Sequence, residues 1–130
     1  MCGITGYIGK KTAYKLLLEG LKQLQNRGYD SAGICTLSKK SIFTLNKYAS
    51  TEKNSAISLL ENLKSNNDTN GIGHTRWATH GPKTDNNSHP HICMENKICL
   101  VHNGIIENFQ KLKDFLIKKK YKFKSQTDTE

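Results

Sequence analysis

Nothing in this chain approaches the roughly 18–20 consecutive apolar residues that a membrane-spanning helix needs, so a membrane-embedded protein is not expected. Its first residues, MCGITGYIGKK, lack the charge-then-apolar order of an export signal. That argues for a reducing, cytoplasmic setting in which Cys2, Cys35, Cys93 and Cys99 are free thiols. Four cysteines in 130 residues also exclude a disulfide-dense secreted scaffold. Aromatic residues make up 8% and hydrophobic residues 35%, enough for a small core and no more. Arginine is scarce: of 20 basic side chains only Arg27 and Arg76 are arginines. A chain built to grip phosphates or bases would favour the planar guanidinium, which makes two parallel hydrogen bonds where lysine makes one. The net charge of +9 is therefore read as a solvated, lysine-rich surface, with nucleic-acid binding as the alternative.

What remains fits one globular domain. A length of 130 residues suits a single core, and 24% charged residues lies near the globular average. Along the chain, CGITGYIG reads as a short strand interrupted by glycines. Ala13, Leu16, Leu17, Leu21 and Leu24 recur at helical spacing behind Thr12, a candidate N-cap, and Gly28 stands where a helix C-terminus favours a residue without Cβ. Ala32 to Leu37 and Ser41 to Tyr48 form two strand-like runs around Ser38-Lys39-Lys40, a hairpin signal. Ala56, Ile57, Leu60 and Leu63 mark a second helix, Gly71 to Trp77 and Lys97 to Val101 two more strands. Ile106, Phe109, Leu112, Leu116 and Ile117 mark a third helix, and Gly81 to Pro90 a loop. There is no internal repeat, no strict strand–helix–strand rhythm and no Walker-type phosphate loop, so the fold class expected is α+β with mostly antiparallel strands. The last residues, Gln126-Thr127-Asp128-Thr129-Glu130, resemble a helix cap, which suggests a truncated protein.

Several residues could carry chemistry, each with a plainer reading beside it. Removal of Met1 would give Cys2 both a thiol and a free α-amine, a nucleophile and a base in one residue; alternatively, a cysteine at position two is accidental. His74, His80, His89, His91 and His102 lie near Cys93 and Cys99, but their spacings match no familiar zinc pattern, so they read as hydrogen-bonding groups of a polar pocket. Cys35, Cys93 and Cys99 sit among apolar neighbours and read as small buried hydrophobes. Arg76, beside Trp77, is a candidate clamp for a carboxylate or else an internal ion-pair partner. Asn103 and Gly104 could present two N–H donors to a developing oxyanion, or could simply form a tight turn.

These residues fall in six blocks: Met-Cys-Gly-Ile, Arg27-Gly-Tyr-Asp-Ser-Ala-Gly-Ile34, Gly73-His-Thr-Arg-Trp-Ala-Thr-His-Gly81, His89-Pro-His91, Val101-His-Asn-Gly-Ile-Ile-Glu-Asn108 and Ser125-Gln-Thr-Asp-Thr-Glu130. In that order they resemble the N-terminal glutaminase domain of the class II glutamine amidotransferases, in particular the glutamine–fructose-6-phosphate aminotransferase (glucosamine-6-phosphate synthase) type. Amidophosphoribosyltransferases, the alternative, typically have Arg-Gly-Gln-Glu where this chain has Arg27-Gly-Tyr-Asp, and asparagine synthetases Arg-Gly-Pro-Asp.

The resemblance implies an N-terminal-nucleophile hydrolase fold, a four-layer αββα sandwich with antiparallel sheets, of which residues 1–130 form the first part. It implies that Cys2 attacks glutamine to form a γ-glutamyl thioester, with Asn103 and Gly104 as the oxyanion hole. Arg76 would hold the substrate α-carboxylate and Asp128 the α-ammonium. Thr79 and His80 would belong to a closing loop, His89 to the pocket, and Trp77 to the gate for ammonia. Arg27 matches a motif position near the nucleophile, with no assigned role. The ammonia would aminate fructose 6-phosphate on sugar-isomerase domains outside this chain, in a homo-oligomer that uses no metal, cofactor, nucleic acid or membrane. Strands missing after Glu130 would leave sheet edges open, and activity of residues 1–130 alone is left open. An inactive fragment acting as a basic binding module through Lys118 to Lys124, or a metal-binding module built on the histidines, are the competing readings.

Overall fold

The computed structural model describes residues 2–27, 30–78 and 81–130, with Arg27 described in its backbone only. Helical periodicity places α1 at Ala13–Leu24, and the face it buries carries Ala13, Tyr14, Leu17, Leu18 and Leu21. This stripe differs from the expected one: Leu18 is inside, while Leu16 is 40% exposed. Thr12 occupies the N-cap position without a side-chain cap bond; the first free amide, Ala13 N–H, donates instead to the Asp68 carbonyl at 2.8 Å. Gly28, the expected helix stop, lies outside the described residues. Helix α2 (Ala56–Glu61) does carry a side-chain cap, Ser55 accepting from Ser58 N–H at 3.1 Å. The Tyr14 hydroxyl donates to the Leu60 carbonyl at 2.9 Å and so ties the two helices together.

Both helices cover one face of a four-stranded antiparallel sheet of β1 (Gly3–Ile8), β2 (Ser31–Leu37), β3 (Phe43–Ala49) and β4 (Asn70–Arg76), in the order β1-β4-β2-β3. The predicted hairpin between β2 and β3 is present; its loop runs from Ser38 to Ile42 and passes through Ser41 at φ +59°. Leu17, Leu21, Ile34 and Leu60 are fully buried between helices and sheet. Strand alternation assigns the other face. On β4, His74 and Arg76 share one side; opposite them on β2 lie Gly33, in register with His74, and Ser31, in register with Arg76.

A second layer lies over that face. Lys47 of β3 donates to the carbonyls of Asn86 (3.1 Å) and Ser88 (2.7 Å), and Ala49 N–H donates to Asp85 Oδ1 (2.7 Å). Burial lowers the Lys47 pKa to about 8. Asn87 is buried and joins this layer to the C-terminal segment, accepting from Gln126 N–H at 2.8 Å. The layer continues into a two-stranded antiparallel ribbon, β5 (His91–Ile92) and β6 (Cys99–Leu100). β5 was not foreseen, since two residues are too few to show an alternating pattern. Helix α3 (Phe109–Lys118) has no fully buried side chain and flanks Phe123 and residues 127–130. The fold is therefore α+β with antiparallel sheets, as expected.

One expectation needs correction. Cys93 and Cys99 are half-buried rather than buried. The Cys93 sulfur accepts from Lys97 and Ile98 N–H, each at 3.3 Å, and shapes the ribbon's turn; Cys99 faces the buried Cys35 thiol. The cap-like residues 126–130 make local bonds of their own. Thr127 Oγ1 accepts from Glu130 N–H at 3.4 Å, but the Glu130 carboxylate accepts from Lys124 and Ser125 N–H instead of closing a capping box.

Gly33 sets how closely the two layers approach. A Cβ there would collide with the His89 carbonyl oxygen, a backbone atom, and stand 2.6 Å from Lys47 Cβ. Gly33→Ala is therefore expected to cost about 1–3 kcal/mol, several degrees in Tm, because the His89–Pro90 segment must move away from the sheet. A thermal melt indistinguishable from the parent's would show that the layers are not in contact there.

Candidate active site

The sheet's exposed end and the second layer enclose a cavity of about 180 Å³ lined by Cys2, His74, Arg76, Trp77, His89, His102, Asn103, Gly104, Ile105 and Thr127–Thr129. The antiparallel β1–β4 register, in which Gly3 opposes Thr75, carries Cys2 to the end of β4. The Cys2 sulfur accepts from Trp77 N–H at 3.1 Å. Trp77 is 44% exposed at the cavity rim.

Asn103 follows β6 and reaches back to β1, its Nδ2 donating to the Cys2 carbonyl at 3.0 Å. Its Oδ1 faces His74 Nε2 at 2.8 Å. Gly104 has φ +155°, and a Cβ there would stand 2.7 Å from the His102 ring, so a side chain is disfavoured both by conformation and by space. Asp128 comes from the C-terminal segment, and its Oδ2 accepts from Ile106 N–H at 2.8 Å.

Arg76 is 4% exposed at the floor of the cavity. Burial draws its pKa below the ordinary arginine value, against the opposing influence of Cys2, Asp30 and Asp128. Asp30 stays outside the cavity lining but braces it: Oδ2 accepts from Ala78 N–H at 2.9 Å, and Oδ1 lies 3.7 Å from Lys83 Nζ. The cavity thus presents a cation, a carboxylate, a thiol and an amide donor within the space of one small polar molecule.

The histidines form a buried stack. The rings of His74 and His89 lie 4.3 Å apart and nearly parallel, His91 meets His89 edge-on at 4.6 Å, and His91 Nε2 contacts Thr127 Oγ1 at 3.0 Å. Among the described residues, no group of three His, Cys, Asp or Glu side chains is placed to hold a metal. Burial pushes the pKa values of His74 and His91 down to about 4 and that of His89 to about 2. Each folded value lies below the ordinary 6.5. Between pH 6.5 and about 4 the unfolded chain binds protons that the folded one does not, so stability falls as pH falls. The Tm is expected to drop over that window, and to drop less steeply in His91→Gln. A Tm that is flat from pH 6.5 to 4 would contradict the buried, neutral stack.

Of the residues singled out in the sequence, Cys2, Arg76, Trp77, His89, Asn103, Gly104 and Asp128 line one cavity. Thr79, His80 and the Arg27 side chain lie outside the described residues. His74 and His102, read in the sequence only as hydrogen-bonding groups of a polar pocket, line the same cavity, and Ile105, Thr127 and Thr129 line it without having been singled out. Strand alternation puts His74 on the same face as Arg76, two residues on.

Residues 61–130 match the family model described as a glutamine amidotransferase domain. Across its whole length the chain is 52% identical to the glutamine–fructose-6-phosphate aminotransferase [isomerizing] of Methanococcus maripaludis, 53% to that of Caldanaerobacter subterraneus and 51% to that of Pyrococcus horikoshii. It spans about a fifth of each relative, 21% in all three cases. Among solved structures, the glutamine phosphoribosylpyrophosphate amidotransferase from B. subtilis complexed with ADP and GMP superposes with a TM-score of 0.74 at 26% identity, over 99% of this chain and 27% of that one. An allosteric regulatory enzyme of purine biosynthesis gives 0.75 at 27% identity, over 99% and 28%.

Proposed function

The chain belongs to the glutamine amidotransferase domain family, and from that premise we propose that it releases ammonia from the side-chain amide of glutamine through Cys2. Removal of Met1 frees the Cys2 α-amine, whose ordinary pKa near 7.7–8 suits it to take the thiol proton at neutral pH. The sulfur attacks the amide carbon and a C–S bond forms. The oxygen becomes an oxyanion that the Asn103 amide and the Gly104 N–H receive. The C–N bond then breaks, and the α-ammonium returns its proton to the leaving nitrogen as ammonia departs. Water cleaves the resulting γ-glutamyl thioester to glutamate and restores the thiol.

Binding divides between the two charged ends of the substrate. Arg76 takes the α-carboxylate and Asp128 the α-ammonium, which fixes the amide over Cys2 and lowers the entropy cost of attack. His89 supports the pocket wall, and Trp77 at the rim guards the exit of ammonia. The observation that carries this reading is the single cavity bounded by Cys2, Asn103, Arg76 and Asp128.

The three relatives named above act, by their names, on fructose 6-phosphate, and at 51–53% identity they favour the same acceptor here over the phosphoribosylpyrophosphate of the 26%-identical structure. Residues 1–130 are then part of a glutaminase domain working in the cytoplasm, and sugar-phosphate amination takes place on further domains of a homo-oligomer. The test is to express the chain with whatever coding sequence follows Glu130 in frame, confirm an N-terminal Cys2 by intact mass, and supply glutamine with hydroxylamine. The thioester should be intercepted as γ-glutamyl hydroxamate. Ammonia release without any hydroxamate would argue against the covalent route, and no release of ammonia at all would overturn the reading.

A further inference from the structure

His74 is 1% exposed, and its Nε2 lies on Asn103 Oδ1 at 2.8 Å. An imidazole buried at the end of a strand needs a compensating hydrogen bond, and this one ends on the amide expected to stabilise the oxyanion. We propose that His74 is a positioning residue that sets the polarity of the oxyanion hole, holding the Asn103 amide with its NH2 toward Cys2. The inference rests on the oxyanion role of Asn103 proposed above.

An asparagine side chain is nearly symmetric in shape. The two ends of its amide are nearly identical in size, and only their partners decide which end faces where. Here Oδ1 accepts from His74 while Nδ2 donates to the Cys2 carbonyl. Were the amide rotated by half a turn, a carbonyl oxygen would face the developing oxyanion, and attraction would become repulsion.

His74 is well suited to prevent that rotation. Burial keeps its ring neutral at physiological pH, with a pKa of about 4 that bonds to Asn103 and to the His102 backbone partly offset. A neutral imidazole has one N–H; with Nδ1 unpartnered and Nε2 facing a carbonyl oxygen, the tautomer protonated on Nε2 is the one that satisfies the contact. The ring is fixed in turn by its stack on His89 at 4.3 Å. A donor thus faces Oδ1 across the whole working pH range, and at low pH the imidazolium would still donate from Nε2.

The experiment compares His74→Phe, which keeps a planar ring on His89 but has no N–H, with His74→Gln, whose amide can donate to Asn103. Asn103→Ala and the double variant His74→Phe/Asn103→Ala complete the cycle, all in the protein used for the hydroxamate assay. His74→Phe is expected to lower kcat for glutamate release by about 30- to 100-fold, the scale of losing one oxyanion donor. The KM for glutamine should stay within about threefold, and His74→Gln should recover most of the loss. The double variant should be no slower than Asn103→Ala alone, because the two residues act through one amide.

An unchanged kcat in His74→Phe, beside a slow Asn103→Ala, would overturn this inference and leave the oxyanion reading standing. So would a loss in the double variant equal to the product of the two single losses. A kcat, KM and Tm that decline together, with His74→Gln no better than His74→Phe, would assign His74 a packing role only. A fully active Asn103→Ala would instead overturn the oxyanion reading, and the inference with it.

Discussion

Cys2→Ala is expected to reduce glutamate release by a factor of at least about 10⁴ while leaving glutamine affinity within a few-fold of the parent. Removing the nucleophile of a covalent mechanism costs far more than removing any single hydrogen bond, because the chemical route itself is lost. Affinity should survive because the groups proposed to hold the substrate's charged ends, Arg76 and Asp128, come from β4 and the C-terminal segment. The sulfur meets the Trp77 backbone, accepting from its N–H at 3.1 Å and donating to its carbonyl at 3.6 Å, so its loss removes two backbone contacts at a half-exposed site. Binding can be read as ligand-induced stabilisation: a Tm that rises with glutamine concentration in Cys2→Ala as in the parent reports an intact pocket. Cys2→Ser separates nucleophilicity from shape, since the hydroxyl fills the space but is far less reactive at neutral pH. Turnover in Cys2→Ala close to that of the parent would remove Cys2 from the mechanism.

The scaffold was largely legible in the sequence because its signals are local. The α1 stripe, the β2–β3 hairpin and the strand that became β4 announce themselves within a dozen residues each. What local pattern could not resolve was which of several adjacent leucines on α1 turns inward. Leu16, Leu17 and Leu18 are equally apolar, and only contact with the sheet selects Leu17 and Leu18. β5 escaped for another reason: its two residues are defined by pairing with β6 rather than by a pattern of their own. Cys93 shows how neighbours mislead, since it lies between apolar residues yet its sulfur serves a turn.

The site was legible through its motif blocks and only weakly through physics. Arg76, Asn103 and Asp128 are far apart in sequence; Arg76 and Asn103 each had a plainer structural reading beside the functional one, and Asp128 was marked only by its motif block. Their convergence depends on the β1–β4 register, on the ribbon that delivers Asn103, and on the Asn87–Gln126 bond that holds the C-terminal segment in place. None of these is encoded within a window short enough to read. The His74–Asn103 contact is of the same kind: a strand residue and a loop residue meet only because two layers close over Gly33.

Arg76→Lys is expected to raise the KM for glutamine by about five- to 150-fold, equivalent to roughly 1–3 kcal/mol, with a smaller effect on kcat. The charge is conserved in this exchange, so the size of the effect reports geometry. A guanidinium offers a carboxylate two parallel N–H donors from a rigid plane, whereas an ammonium on a flexible stem offers one strong contact and must be ordered to make it. Arg76 is also 4% exposed, and the smaller lysine head would leave space in a desolvated floor where water cannot readily compensate. Its electrostatic surroundings sharpen the test. Asp30 and Asp128 both favour the charged guanidinium, so a purely internal ion-pair role would appear as lost stability rather than lost affinity. The two roles separate when Tm and KM are measured on the same variant. A large rise in KM with a modest fall in Tm assigns Arg76 to the substrate carboxylate. A KM that moves less than about twofold while Tm falls steeply would make it a structural cation, and the carboxylate clamp would have to be sought elsewhere in the cavity.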